Sequence, residues 1–404
     1  MKRLLMILAI LGLALSVQAQ DVELRDDHPR EYVVQEGDTL WGIASRFLTR
    51  PWQWPAIWQA NPQIDNPHLI FPGDLISLEF VGGEPRLTVN QRDRDRVDDS
   101  ILRLGPEIRR QPMDTAITTI PLDAIEPFLR RPRVVGPDEL ENLPYVIANQ
   151  ERITFASAGE RSYVRGLEGV RVGEEVIVAR VTYQFVDRSA TEGERGLRRN
   201  QMRRGQGQVP SSERPMPGIW RVTLGQLEGL RYPVIGYELW ESARARVVKL
   251  GDPAIIELLG GRREVAAGDY VLPVDDHIYN PIFQPKAMEK TPENARVLTI
   301  SEAFYGVGHY QIVSISVGTA DGVEAGHTFS AFRPGERIRD ELRYPLMSRA
   351  AWRNSDSRFV ELPHEYAGQV MVFRPFERIS YAIVMDGANA IRADDLLFHP
   401  DRRL

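Results

Sequence analysis

The hydrophobic positions of this 404-residue chain follow one period near the amino terminus and another beyond it. Leu40, Ile43, Ala44, Phe47 and Leu48 recur at i, i+3, i+4, i+7 and i+8, the single apolar stripe of an amphipathic helix. Asp38 or Thr39 can cap its first turn by accepting backbone N–H groups that have no partner inside the helix. Tyr32-Val33-Val34 reads as a short strand before it. A second helix is expected to start at Pro55, because proline at a first helical position forfeits no hydrogen bond, and to end before Asn61-Pro62. Phe71-Pro72-Gly73-Asp74 is a turn and Leu75-Ile76-Ser77-Leu78 a closing strand, giving the order strand, helix, helix, strand.

Farther on the period drops to two. "EVIVARVTYQFV", "ARARVVKL", "PAIIELL", "DYVLPV", "YQIVSISV" and "SYAIVMDG" are β-branched or aromatic runs bounded by glycine, proline or aspartate, and predict strands. A weak internal repeat accompanies them. Gly169-Val170-Arg171-Val172-Gly173 and Gly322-Val323-Glu324-Ala325-Gly326 share a Gly-Val-x-x-Gly spacing, each followed by an apolar strand and then by Arg180 or Arg333; Val265-Ala266-Ala267-Gly268 echoes them. Such glycines suit barrel-type corners where positive φ or close backbone approach is needed.

Between these regimes the pattern lapses. Residues 81–105, with "NQRDRDRVDDS", show no apolar period and read as a solvated linker between an amino-terminal domain at 30–80 and the remainder of the chain. Residues 189–218 hold Arg195, Arg198, Arg199, Arg203 and Arg204 but almost no large apolar side chain, so they read as a mobile insertion in a β-rich middle domain at 106–290. A carboxy-terminal β-rich domain is expected at 295–404. The fold class is therefore α+β multidomain, a small strand-helix-helix-strand domain followed by mostly β, barrel-like domains.

Composition changes the picture in three ways. Met1-Lys2-Arg3 precedes an uncharged apolar run from Leu4 to Val17, shorter than the roughly twenty residues a bilayer needs, and Val17-Gln18-Ala19 resembles a signal-peptidase site. Residues 1–19 are thus expected to be a signal peptide, with no transmembrane segment in the mature chain. Cysteine is absent, which favours a bacterial envelope protein held together by burial alone. The net charge of −6 gives no global reason to expect nucleic acid as a partner.

Enzyme signatures are missing. There is no cysteine nucleophile, the seven histidines show neither HxH nor HExxH spacing, and no Gly-x-Ser-x-Gly elbow or phosphate-binding loop occurs. Glu241-Ser242 sits in "GYELWESARARVV", which reads as β rather than as a catalytic helix. No cofactor or metal is expected. Four of the seven tryptophans, Trp41, Trp52, Trp54 and Trp58, crowd the amino-terminal domain. A domain this small buries little, so Trp54 and Trp58 are expected in its core, with Trp41, off the stripe, partly exposed.

"YVVQEGDTLWGIASRF", then "ANP", then "IFPGDLISL" resemble the LysM domain across Tyr32 to Leu78, with "LTRPWQW" longer than the usual spacing between the helices. The resemblance implies a groove for N-acetylglucosamine-containing peptidoglycan, walled by Gly37, Asp38, Thr39 and Leu40 on one side and by Asn66, Pro67, His68, Leu69 and Ile70 on the other. "VSISVGTADGVEAGHTFSAFR" and "HEYAGQVMVFRPFERISYAIVMDG" resemble the carboxy-terminal domain of the flagellar assembly protein T family. With "IPLDAIEPFLRRPRVV" and "LPYVIAN", nearly the whole chain resembles the LysM-containing type IV pilus secretin-associated family. That family implies a periplasmic, non-enzymatic anchor gripping peptidoglycan and the outer-membrane secretin ring. The alternatives are a scaffold for another envelope assembly, such as a flagellar one, and a cell-wall hydrolase.

Overall fold

The computed structural model describes residues 22–58, 70–90, 119–121, 124–126, 128, 132–186, 234–274, 283–300, 306–343 and 359–402. The chain divides into two compact units, Met1–Ile120 and Pro121–Leu404. The expected signal peptide and the Arg-rich insertion at 189–218 lie outside the described residues.

In the first unit, β1 (Glu31–Val33) pairs antiparallel with β2 (Leu75–Val81), between which lie α1 (Leu40–Phe47) and α2 (Trp54–Trp58). Thr39 is the N-cap of α1, its hydroxyl accepting from the Gly42 amide at 3.0 Å. "LTRPWQW" supplies a 3-10 turn, Pro51–Gln53, packed against α1. Trp54 and Trp58 meet edge to face at 6.4 Å in a core shared with Ile43, Phe47, Ile57 and Ile76. Trp41 is only 1% exposed, contrary to the expectation from its place off the stripe. The added turn over an eight-residue helix leaves that helix little surface to show to water.

The linker expectation is corrected at its start. Residues 84–90 form β3 (Glu84–Asn90), joined to β2 over seven register pairs, with Leu87 and Val89 buried in the same core. Inward positions alternate with polar ones in "EPRLTVN", and the Gly82-Gly83 turn makes it a hairpin rather than an exit.

The second unit holds two barrels. The first takes β5 (Tyr145–Asn149), β7 (Arg161–Arg165), β8 (Glu175–Val186), β9 (Val234–Lys249), β10 (Ala254–Gly261) and β12 (Tyr270–Pro273), and closes where β10 pairs with both β7 and β9. β4 (Pro132–Val135) adds to the outer half of β9, and the short strands β6 (Phe155–Ala156) and β11 (Val265–Ala266) pair at one corner. Helix α3 (Pro137–Asn142) packs against β9. The second barrel takes β13 (Val297–Ile300), β14 (Ile312–Ile315), β15 (Thr328–Arg333), β18 (Glu365–Pro375), β19 (Ser380–Gly387) and β20 (Leu396–Phe398). Its outer strands meet through the amides of Val297 and Leu397 on the carbonyls of Asp395 and Ala295. A ribbon of β16 (Arg337–Arg339) and β17 (Phe359–Glu361) rises from its β15–β18 hairpin.

Numbered by their own order, both sets of six strands neighbour one another as 1-2-5-4-3-6. The weak repeat in the sequence marks a duplicated topology. The amides of Gly173 and Gly326 reach the carbonyls of Val247 and Val372; Gly159 and Tyr310 reach Leu258 and Val384; Val146 and Val297 reach Asp269 and Asp395. Arg180 and Arg333 each stand seven residues after the second repeat glycine and donate to the carbonyls of Glu264 and Ala390, again equivalent positions.

One turn recurs throughout. A residue at positive φ is followed by an acceptor whose side chain takes the backbone N–H three positions back: Glu160 from Ser157, Glu174 from Arg171, Asp269 from Ala266, Gln311 from Gly308, His327 from Glu324 and Asp395 from Arg392. Each acceptor immediately precedes a barrel strand, so the clip fixes where that strand begins.

Candidate functional site

The expected groove lies in the first unit. Its two turns are built as the barrel turns are. Gly37 (φ 86°) precedes Asp38, whose carboxylate accepts from the Gln35 amide at 2.7 Å; Gly73 (φ 92°) precedes Asp74, whose carboxylate accepts from the Phe71 amide at 2.9 Å. Val34 ties them together: its amide donates to the Asp74 carbonyl at 2.9 Å and its carbonyl accepts from Gly73 at 2.7 Å. The loop before α1 and the loop before β2 therefore stand side by side at the end of the sheet.

Side chains in this corner are already engaged. Asp38 also accepts from the Tyr32 hydroxyl at 2.8 Å, and burial, with this bond next, pushes the Tyr32 phenol up. The Arg46 guanidinium lies 4.6 Å from the Tyr32 ring centroid. Thr39 is spent on capping, and the side chains of Leu40 and Ile70 are buried in the core. Of the residues expected on the walls, Gly37 is exposed and Asp38 partly so, while Asn66, Pro67, His68 and Leu69 lie outside the described residues. What the corner presents to a ligand is chiefly backbone. An added Cβ at Gly37 would meet no atom within 4 Å, so the space beside that peptide is open.

Sequence reasoning missed Asp74, fully buried behind the second turn. The Pro-Gly-Asp triplet carried the signal, since it repeats the Glu-Gly-Asp of the first turn, just before a strand or cap begins.

Residues 32–78 match the LysM domain family. LysM is a binding module rather than a catalytic one, and its presence points to peptidoglycan or other carbohydrate binding. No curated protein matches the chain. Among the described residues, no helix is long and apolar enough to cross a membrane.

Proposed function

We propose that the protein is a non-enzymatic periplasmic anchor: residues 32–78 bind N-acetylglucosamine-containing glycan strands of peptidoglycan, and the barrel unit associates with the secretin ring of a type IV pilus at the outer membrane. The observation that carries the first half is the pair of glycine turns locked together by Val34 within a LysM match. A saccharide offers acetamido and hydroxyl groups around C–H surface, and backbone amides and carbonyls at an open glycine suit the acetamido group. The second half rests on the resemblance carried by "IPLDAIEPFLRRPRVV", "LPYVIAN" and the motifs of the second barrel.

Co-sedimentation with purified peptidoglycan tests the first half. The mature protein pellets with it; Gly37→Val, whose branched side chain both fills the open space and strains a positive φ, weakens retention about tenfold, ~1.4 kcal/mol. Crosslinking in native envelopes tests the second half. A secretin trapped by the intact chain, and still trapped without residues 30–80, supports it; a flagellar component trapped instead assigns the barrels to another assembly. Clearing of peptidoglycan in a zymogram would replace the anchor by a hydrolase.

A further inference from the structure

Backbone clips that rest on histidine gather in the second barrel. His327 closes the turn before β15, its Nδ1 accepting from the Glu324 amide at 2.9 Å, and the residue is only 8% exposed. His364, at the junction of β17 and β18, accepts at Nδ1 from the Gly335 amide at 3.1 Å and so ties the foot of the β16–β17 ribbon together. His399, just past β20, accepts at Nδ1 from the Asp401 amide at 3.2 Å. β18, β15 and β20 are neighbours, so the three rings serve one half of the barrel. Residues 145–273, which hold all six strands of the first barrel, contain no histidine, and where His327 stands that barrel has Glu174.

A histidine acceptor differs in kind from a carboxylate. The neutral imidazole has one lone pair, and when that lone pair takes an amide N–H the next proton can bind only there, which turns the acceptor into a donor facing a donor. A carboxylate keeps its lone pairs down to about pH 4 and, once protonated, still has an accepting oxygen. The side chain of Gln311, which takes the Gly308 amide at 2.7 Å before β14, stays uncharged throughout. Burial holds the His327 ring below its usual pKa, and the Lys286 ammonium, from the segment before β13, adds to this. Glu324 in its own turn acts the other way but is held by Lys286 in an ion pair, and β18 meets the residue through apolar Val372. The unfolded chain therefore binds the proton more readily, so the stability this clip contributes is full above about pH 6.5 and is lost as pH falls. His364 stacks on Phe398 at 6.2 Å, with the Arg402 guanidinium 3.6 Å from that ring and the Arg333–Glu365 pair beside it in the ladder. His399 differs, since the Asp401 carboxylate 3.9 Å away can receive it once charged.

We propose that the second barrel is an acid-responsive element: protons taken up by His327 and His364 in a mildly acidic medium undo the start of β15 and the foot of the ribbon, while the first barrel stays closed. Asp395, which clips β20 and whose carboxyl burial lifts to about 6, takes up its proton in the same range but remains an acceptor, so the response centres on β15 and β18 rather than on β20. This inference rests on the fold alone and is independent of the glycan and secretin readings.

Hydrogen exchange of the full chain, followed by mass spectrometry at about pH 7.5 and about pH 5 and corrected for the intrinsic rate at each, tests it. Between the two, peptides over 324–332 and 359–366 lose protection about tenfold relative to β5, β7 and β10 of the first barrel. His327→Gln, an acceptor that takes no charge, abolishes the loss at 324–332, and His364→Gln abolishes it at 359–366. Where Gln prevents folding, Asn, the amide counterpart of the clip residues Asp269 and Asp395, replaces it. His309, packed on Tyr310 in the same barrel, and Asp395 are the same in every variant, so neither produces the difference. An unaltered chain whose second barrel keeps its protection at the lower pH overturns the proposal, whatever the variants do. So does a loss that survives both substitutions, or one that the first barrel shares equally.

Discussion

Two equivalent arginines show how far one position in a repeat can diverge. Arg180 grips Asp269 in a two-pronged pair, Nε to Oδ1 at 2.5 Å and Nη2 to Oδ2 at 2.7 Å, and this bond holds its guanidinium above its ordinary pKa. Arg333 keeps the carbonyl contact to Ala390 but its Nε meets no partner, and Asp395 is not clasped as Asp269 is. Burial therefore dominates at Asp395 and lifts its carboxyl to about 6, against a weaker lowering from the Arg392 amide and from Arg333. Replacing Asp269 by Ala strands a largely buried arginine and is expected to cost about 3–5 kcal/mol in urea unfolding. Asp395 has the opposite sign. Its folded pKa lies above the unfolded value, so its contribution is greatest below about pH 4 and is lost as pH rises toward 6, on the order of 2–3 kcal/mol. Asp395→Asn should flatten that part of the stability–pH curve and leave the protein no weaker at pH 7. Nothing in the sequence separates these two aspartates, since both follow a turn residue and precede a strand; only the arginine geometry does.

Among elements, local period was a good guide and local context a poor one. The run "EVIVARVTYQFV" is β8 to the residue, and the stripe from Leu40 to Phe47 is α1, because alternation and a 3.6-residue period each bury one face whatever lies beyond. β3 was hidden because its polar outward positions resemble the solvated stretch after it, and only pairing with β2 reveals two inward side chains. Trp41, buried though off the stripe, shows the same limit, since the stripe of one helix says nothing about what packs on its other side. The groove was legible as two glycine turns but not as a backbone-lined corner, because capping and turn closure claim Thr39 and Asp38. β3 matters energetically. Leu87 and Val89 each contribute about 1.5–3 kcal/mol by burial, a large share of what so small a unit can muster. A fragment of residues 22–80 is therefore expected to melt at least 10 °C below one of residues 22–90, or not to fold, when followed by far-ultraviolet circular dichroism.

For the molecule as a whole, the duplication sets what each part can do. Six clips of one design start six barrel strands, so removing a single one should loosen its barrel without dissolving the other. Gly326 is the most exacting of these positions: an added Cβ would lie 2.2 Å from the Gln284 carbonyl, at a φ of 92°. Gly326→Ala is expected to destabilise the second barrel by several kcal/mol. Hydrogen exchange should then show protection lost in β15 and β18 while β5, β7 and β10 of the first barrel keep theirs.

The twin winding also bears on how the chain reaches its native state. Two rings of like connectivity in one polypeptide offer every strand a second, wrong mate of the same polarity. Each ring, however, draws all six strands from an unbroken stretch, 145–273 for the earlier and 297–398 for the later. A chain emerging amino end first can close the earlier ring before the later one has a strand to lend, so the order of emergence itself guards against cross-pairing.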